Sequence, residues 1–146
     1  MHARRSFALA LCSLGLGLAL GGASSGCGGA PTRLVTVKAG TGEGAIQFEV
    51  KNLTDVPINS LYLVPTDKVP QQLDNESTEA QNMWGADLLN AAIPKGERVP
   101  VPVAGPGRWD CKAVDRDGRY QHIAGLKLAA GGRYILELND SGWRVR

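Results

Sequence analysis

Gly44-Ala45-Ile46-Gln47-Phe48-Glu49-Val50-Lys51-Asn52 constrains the fold most, because its side chains alternate strictly. Ile46, Phe48 and Val50 point one way and Gln47, Glu49 and Lys51 the other, the pattern of a strand with one buried and one solvated face. Short alternation of the same kind runs over Leu34 to Lys38, Ile58 to Val64, Arg108 to Val114, Tyr120 to Leu128 and Arg133 to Leu138, with Trp143 to Val145 as a short terminal strand. No stretch after Arg33 sustains a helical period. Asp115-Arg116-Asp117-Gly118, Ala130-Gly131-Gly132 and Asn139-Asp140-Ser141-Gly142 fall between strands, and Pro94-Lys95-Gly96 makes a further turn. Gly, Asn and Asp tolerate the positive φ that tight hairpins demand.

In Val99-Pro100-Val101-Pro102-Val103 the valines can face a core while the prolines face out. Neither proline can donate to a ladder, so this strand lies at a sheet edge or leaves those positions unpaired, and it also discourages edge-to-edge association. Short strands at regular spacing with Gly and Pro turns predict an all-β chain, a small antiparallel two-sheet β-sandwich of about seven strands, with a small barrel as the alternative. The long irregular piece from Pro65 to Ala92 is polar and acidic over Thr66 to Gln81 and belongs on the surface. Within it, Asp87-Leu88-Leu89-Asn90 is expected to form one helical turn capped by Asp87.

The first 27 residues follow a different logic. Arg4 and Arg5, the apolar run Phe7 to Leu20 and the small residues Gly21 to Gly26 are the three parts of an export signal. The run is shorter than the roughly 20 apolar residues a bilayer span needs. Arg4-Arg5-Ser6-Phe7 matches the twin-arginine pattern, and equally the positive start of the general secretory route. Cys27 after Ser25 and Gly26 fits a lipoprotein signal, in which the thiol is joined to diacylglycerol; Ser24 departs from the apolar residue usual there. Ordinary cleavage after Ser25, with Ala23 and Ser25 as the small pair, is the competing reading. The expected organisation is a signal over 1–26, a flexible tether over 27–32 and the β domain over 33–146. Gly28 is not the Asp that commonly retains lipoproteins at the inner membrane, which favours the outer membrane over the inner for an anchored form; a periplasmic form is the alternative.

The full sequence has 16 Lys+Arg and 14 Asp+Glu; without Arg4 and Arg5 the exported part has 14 of each and no net charge. Basic and acidic residues are interspersed along the chain rather than blocked, so the sequence predicts no electrostatic footprint for nucleic acid and no binding to an anionic lipid surface through charge. About 120 residues make a single domain able to bury its own core. Cys27 and Cys111 are the exported cysteines. Cys111 lies on a strand pattern pointing inward and reads as a buried thiol, with a disulfide to Cys27 as the other option. No Cys-x-x-Cys or Cys/His spacing offers a zinc site.

Certain residues stand in a familiar order: Asn52-Leu53-Thr54, Ile58-x-x-Leu61-Tyr62 with Pro65, Trp84-Gly85-x-Asp87-Leu88-Leu89, the Pro94 and Gly96 turn, Trp109-Asp110 and Asp117-Gly118. This order resembles a small domain of exported bacterial proteins often labelled only by their twin-arginine-type signals. The resemblance covers Phe48 to about Leu128. The chain departs from the pattern in having one copy, a longer Pro65 to Trp84 segment, and Trp109 where Tyr is usual. The resemblance implies an exported β domain and carries over neither an activity nor any catalytic or ligand residue.

No catalytic set assembles from sequence. His122 is the one histidine of the exported part, and Cys111 with His122 across the Asp117-Gly118 hairpin would be the nucleophile and base of an envelope hydrolase. A calcium-stabilised module would draw on Asp67, Asp74, Glu76, Glu79 and Asp87, although no EF-hand spacing is present. Trp84 and Asp87 are the candidate ligand-binding residues; Trp84 is also expected to plug one end of the sandwich, with Leu88 and Leu89 closing that lid. The sequence thus predicts a non-enzymatic envelope β domain without cofactor or metal. Its expected partners are the lipid bilayer, through an acyl anchor on Cys27, and an envelope protein.

Overall fold

A computed structural model describes residues 29–69 and 78–145. Cys27 and the export signal lie outside the described residues, as do Asp74 and Glu76. Seven strands form two sheets: β1 (Arg33–Lys38), β2 (Gln47–Asn52), β3 (Ile58–Pro65), β4 (Arg98–Pro100), β5 (Gly107–Asp115), β6 (Tyr120–Leu128) and β7 (Arg133–Leu138). The larger sheet has the order β1-β7-β2-β4 and the smaller β3-β5-β6. A single 3-10 turn (Thr66–Lys68) and one short helix, α1 (Thr78–Met83), complete the described elements.

The core lies between the sheets. Phe48, Val50, Tyr134, Leu136 and Leu138 from the larger sheet meet Leu61, Trp109, Cys111, Ala113, Leu126 and Leu128 from the smaller. Alternation along β2 is as the sequence implies, with Phe48 and Val50 buried and Gln47 exposed. The valine-proline strand is an edge: β4 pairs only with β2, Pro100 opposite Glu49 and Val99 opposite Val50. Only three of its residues ladder, as expected where prolines cannot donate.

One pair departs from the antiparallel expectation. β7 enters between β1 and β2, antiparallel to β1 and parallel to β2. Alternation specifies a face but not a partner, so the insertion of the last strand into the middle of the sheet leaves no mark in the pattern. Trp143 to Val145 forms a single bridge, Arg144 to Tyr120, rather than a strand.

Asn52 ends β2 with its side chain fully buried. Its Nδ2 donates to the carbonyls of Val56 (3.0 Å) and Ile93 (2.8 Å), and its Oδ1 accepts from the Thr54 amide at 2.9 Å. The Thr54 hydroxyl lies 2.7 Å from the same Oδ1. One amide side chain therefore shapes the crossing from β2 to β3 and ties it to the bridge between Ile58 and Ile93. Buried polar groups persist where they are satisfied in this way.

Attachment to the sandwich begins before β1, inside the stretch expected to be flexible. Ser141 donates to the Ala30 carbonyl, the Asn139 side chain to the Pro31 carbonyl, and the Asn139 amide to the Thr32 hydroxyl. The turn after β7 holds these residues against the end of the sheet.

Candidate functional site

The β5–β6 hairpin builds the site. Asp115 caps its turn by accepting from the amides of Asp117 (3.0 Å) and Arg119 (2.8 Å) and from Arg119 Nε (2.7 Å). From that turn the register runs Val114 opposite Tyr120 and Lys112 opposite His122. Pleating places Asp110, Lys112, Tyr120 and His122 on the face turned away from the core, while Trp109, Cys111 and Ala113 line it. The ladder shifts between Trp109 and Cys111, and Gly125 takes φ +67° on the opposing strand. This bulge turns the Gly125 amide onto Asp110 Oδ1 at 2.9 Å.

Asp110 is 2 % exposed and is held from three sides. Besides the Gly125 amide, it accepts from the Thr66 hydroxyl at 2.6 Å and meets His122 Nε2 at 2.6 Å. Burial raises the pKa of this carboxyl, but the hydrogen bonds from Thr66, Gly125 and His122 outweigh it and hold the group below its ordinary value of 3.8. Trp84 packs edge-on against the His122 ring, with centroids 5.4 Å apart and planes at 80°. The Lys112 ammonium sits 5.7 Å from the Trp84 ring centre and 5.5 Å from that of Tyr120, within reach of cation–π attraction.

The segment after β3 is fastened over this face. Thr66 grips Asp110, Trp84 is 4 % exposed, and the backbone at Leu88 donates to the Leu61 carbonyl at 2.8 Å. Asp87 Oδ1 accepts from the Leu61 amide at 2.9 Å and the Leu89 amide at 3.0 Å. The expected helical turn at Asp87 to Asn90 is absent for this reason: the chain there lies along the open edge of β3, and a helix would forfeit those bonds. The helix occurs instead at Thr78–Met83. Trp84 is buried, but against the outer face of the smaller sheet rather than as a plug at one end. Leu88 and Leu89 pack against the core instead of closing a lid over it.

The two predicted ligand residues thus have distinct positions. Trp84 belongs to the Asp110–His122 cluster, and Asp87 latches the segment that carries Trp84. Cys111 and His122 do not come together as nucleophile and base. Cys111 faces the core with no exposure, and burial, with the Asp110 charge adding to it, pushes its thiol up to about 12. A thiol so protonated is not an attacking group. Cys111 is a free buried thiol. Among the described residues no three His, Cys, Asp or Glu side chains gather to hold a metal ion.

Sequence reasoning missed Asp110, Thr66 and Lys112. Counting the register back from the Asp117-Gly118 turn puts Lys112 beside His122 and Cys111 on the other face, so alternation held the signal for the pair. The bulge at Gly125 had no such signal. No family model, curated protein or solved structure matches this chain.

Proposed function

We propose that the chain is an exported, lipid-anchored β-sandwich of the cell envelope that acts by binding an envelope protein or extracellular ligand rather than by catalysis. The export signal and Cys27 support the location, with the outer membrane favoured by Gly28. The observation that carries the binding role is the fastening of the long segment to the smaller sheet through Thr66, Asp87 and Trp84, with Met83 left 49 % exposed beside buried Trp84. Fixing a loop residue costs about 1–2 kcal/mol of backbone entropy, and loops positioned by a rigid scaffold are where binding concentrates. In this reading Trp84 underlies the binding surface, Lys112 and Tyr120 border it, and Asp87 positions the segment.

Photo-crosslinking in the native host tests the assignment. A photoreactive residue at Met83 is expected to capture a discrete protein or ligand adduct, while one at exposed Thr41, on the loop after β1, captures at most membrane lipid. Equal or absent adducts at both positions would remove this surface from consideration.

A further inference from the structure

We propose that the outer face of the four-stranded sheet is a second membrane contact, lying on anionic phospholipid headgroups. The proposal goes beyond the binding role above and rests on the envelope reading only for its location. Register alone assembles the face. Arg33, Glu137, Lys51 and Arg98 lie side by side across the four strands; Val35, Ile135, Glu49 and Pro100 form the next row; Lys38, Arg133 and Gln47 form the third. Five basic residues share this face with two acidic ones, a net charge of +3. The exported chain sums to zero, so the rest of the molecule carries −3. Charges that alternate harmlessly along the sequence are sorted by strand pleating into one basic surface.

The arrangement within the face suits a bilayer. Two basic rows, about 13 Å apart along the strands, flank a row with Val35 and Ile135 half-buried at its centre. Val37, at the bulge in β1, stands 50 % exposed. Arg33 pairs with Glu137 at 2.9 Å, and Glu49 lies between Arg98 (3.5 Å) and Arg133 (3.8 Å). These pairs leave Lys38 and Lys51 without an ion-pair partner among the described residues. Arg33, Arg98 and Arg133 keep 67 %, 52 % and 40 % of their side chains exposed.

The position of the tether is a second, independent observation. Ala30 is bonded to Ser141, and Pro31 and Thr32 to Asn139, directly beyond the end of β7. Two residues, Gly28 and Gly29, separate Cys27 from Ala30, a reach of about 10 Å over three residue steps. That span lets an anchor on Cys27 reach the end of the sheet at which the Arg33 row lies. Laid on this face, the sandwich turns the smaller sheet, with Trp84, Lys112 and His122, toward the aqueous side.

The test uses the exported chain from residue 27 with Cys27→Ser, which contains every described strand and core contact and removes acylation from the experiment. Cosedimentation is measured with vesicles of phosphatidylcholine alone and with 30 % phosphatidylglycerol. Binding to the anionic vesicles is expected, with loss at high salt, where exposed charges are screened. A basic residue near an anionic surface contributes about a five-fold gain in partition, so Lys38→Glu with Lys51→Glu should lower it at least about 25-fold. Arg116→Glu, on the β5–β6 turn and off this face, should cost no more than a few-fold. The proposal is overturned by equal partition on neutral and anionic vesicles, or by an equal loss from Arg116→Glu. It is also overturned if the double variant binds like the parent. Acylation of Cys27 is read separately by mass, so failure of one reading leaves the other standing.

Discussion

Replacing Asp110 tests the clasp that holds the long segment to the sheet. Asp110→Ala removes the acceptor of Thr66, the Gly125 amide and His122 at one stroke. Hydrogen bonds to a charged group are worth about 1.5–3 kcal/mol each. Thr66 and His122 lie near the surface and can turn to water, so they count at the low end; the Gly125 amide, fixed by the bulge, cannot turn. Release of the buried carboxylate from its desolvation cost offsets part of the loss. The balance is about 3 kcal/mol, which for a domain of this size is about 12 °C in melting temperature. Asp110→Asn keeps Oδ1 for Thr66 and Gly125. Its amide can donate to His122 Nε2 once the imidazole proton moves to Nδ1, so about 1 kcal/mol is lost. Circular dichroism reads both melts, and tryptophan emission should shift to the red in the Ala variant as Trp84 loses its cover.

The pH dependence supplies an independent check. The folded carboxyl of Asp110 titrates below its ordinary value of 3.8. Its contribution is therefore complete above that value and is lost as pH falls through the depressed folded value. The gap between the parent and Asp110→Asn should therefore close in acid, as pH falls through that depressed value. An Ala variant within 1 °C of the parent, or an Asn gap that persists unchanged at the lowest pH where both fold, would refute the clasp.

Other consequences follow from the same geometry. Asn52→Asp replaces a donor between two buried carbonyls with a carboxylate oxygen, so it should lose more stability than Asn52→Ala at neutral pH, by about 1 kcal/mol or more. Its deficit against the parent should shrink as acid protonates the new carboxyl; equal melts for the two variants would contradict the keystone role. Cys111 should react with a water-soluble maleimide only after denaturation, because its thiol is buried and its pKa raised; rapid labelling of the folded chain would restore it as a nucleophile. Gly132→Ala should cost about 2 kcal/mol, since a Cβ there overlaps the Tyr134 hydroxyl and ring; an unchanged denaturant midpoint would count against that packing.

Strands and turns were legible because side-chain period and turn chemistry are local. Phe48 and Val50 announce a half-buried strand, Asp115 to Gly118 announces a hairpin, and the valine-proline repeat announces an edge. Partnering is not local, so the parallel pairing of β7 with β2 is invisible until the chain is folded. The candidate site was half legible. Trp84 and Asp87 stand out by type, but Asp110 gains its role from a bulge that brings the Gly125 amide to it, and Thr66 from the end of β3 falling beside it. Charge was the least legible property. Lys38, Lys51, Arg98 and Arg133 are scattered through the sequence among acids, and only the register of four strands gathers them.

The intact mass of the protein from its native host, taken separately from membrane and soluble fractions, tests the central claim most directly. An exported lipid-anchored module predicts a membrane-bound species that begins at Cys27 and carries added acyl mass. An unmodified soluble species, or a membrane species that retains residues 1–26, would contradict it.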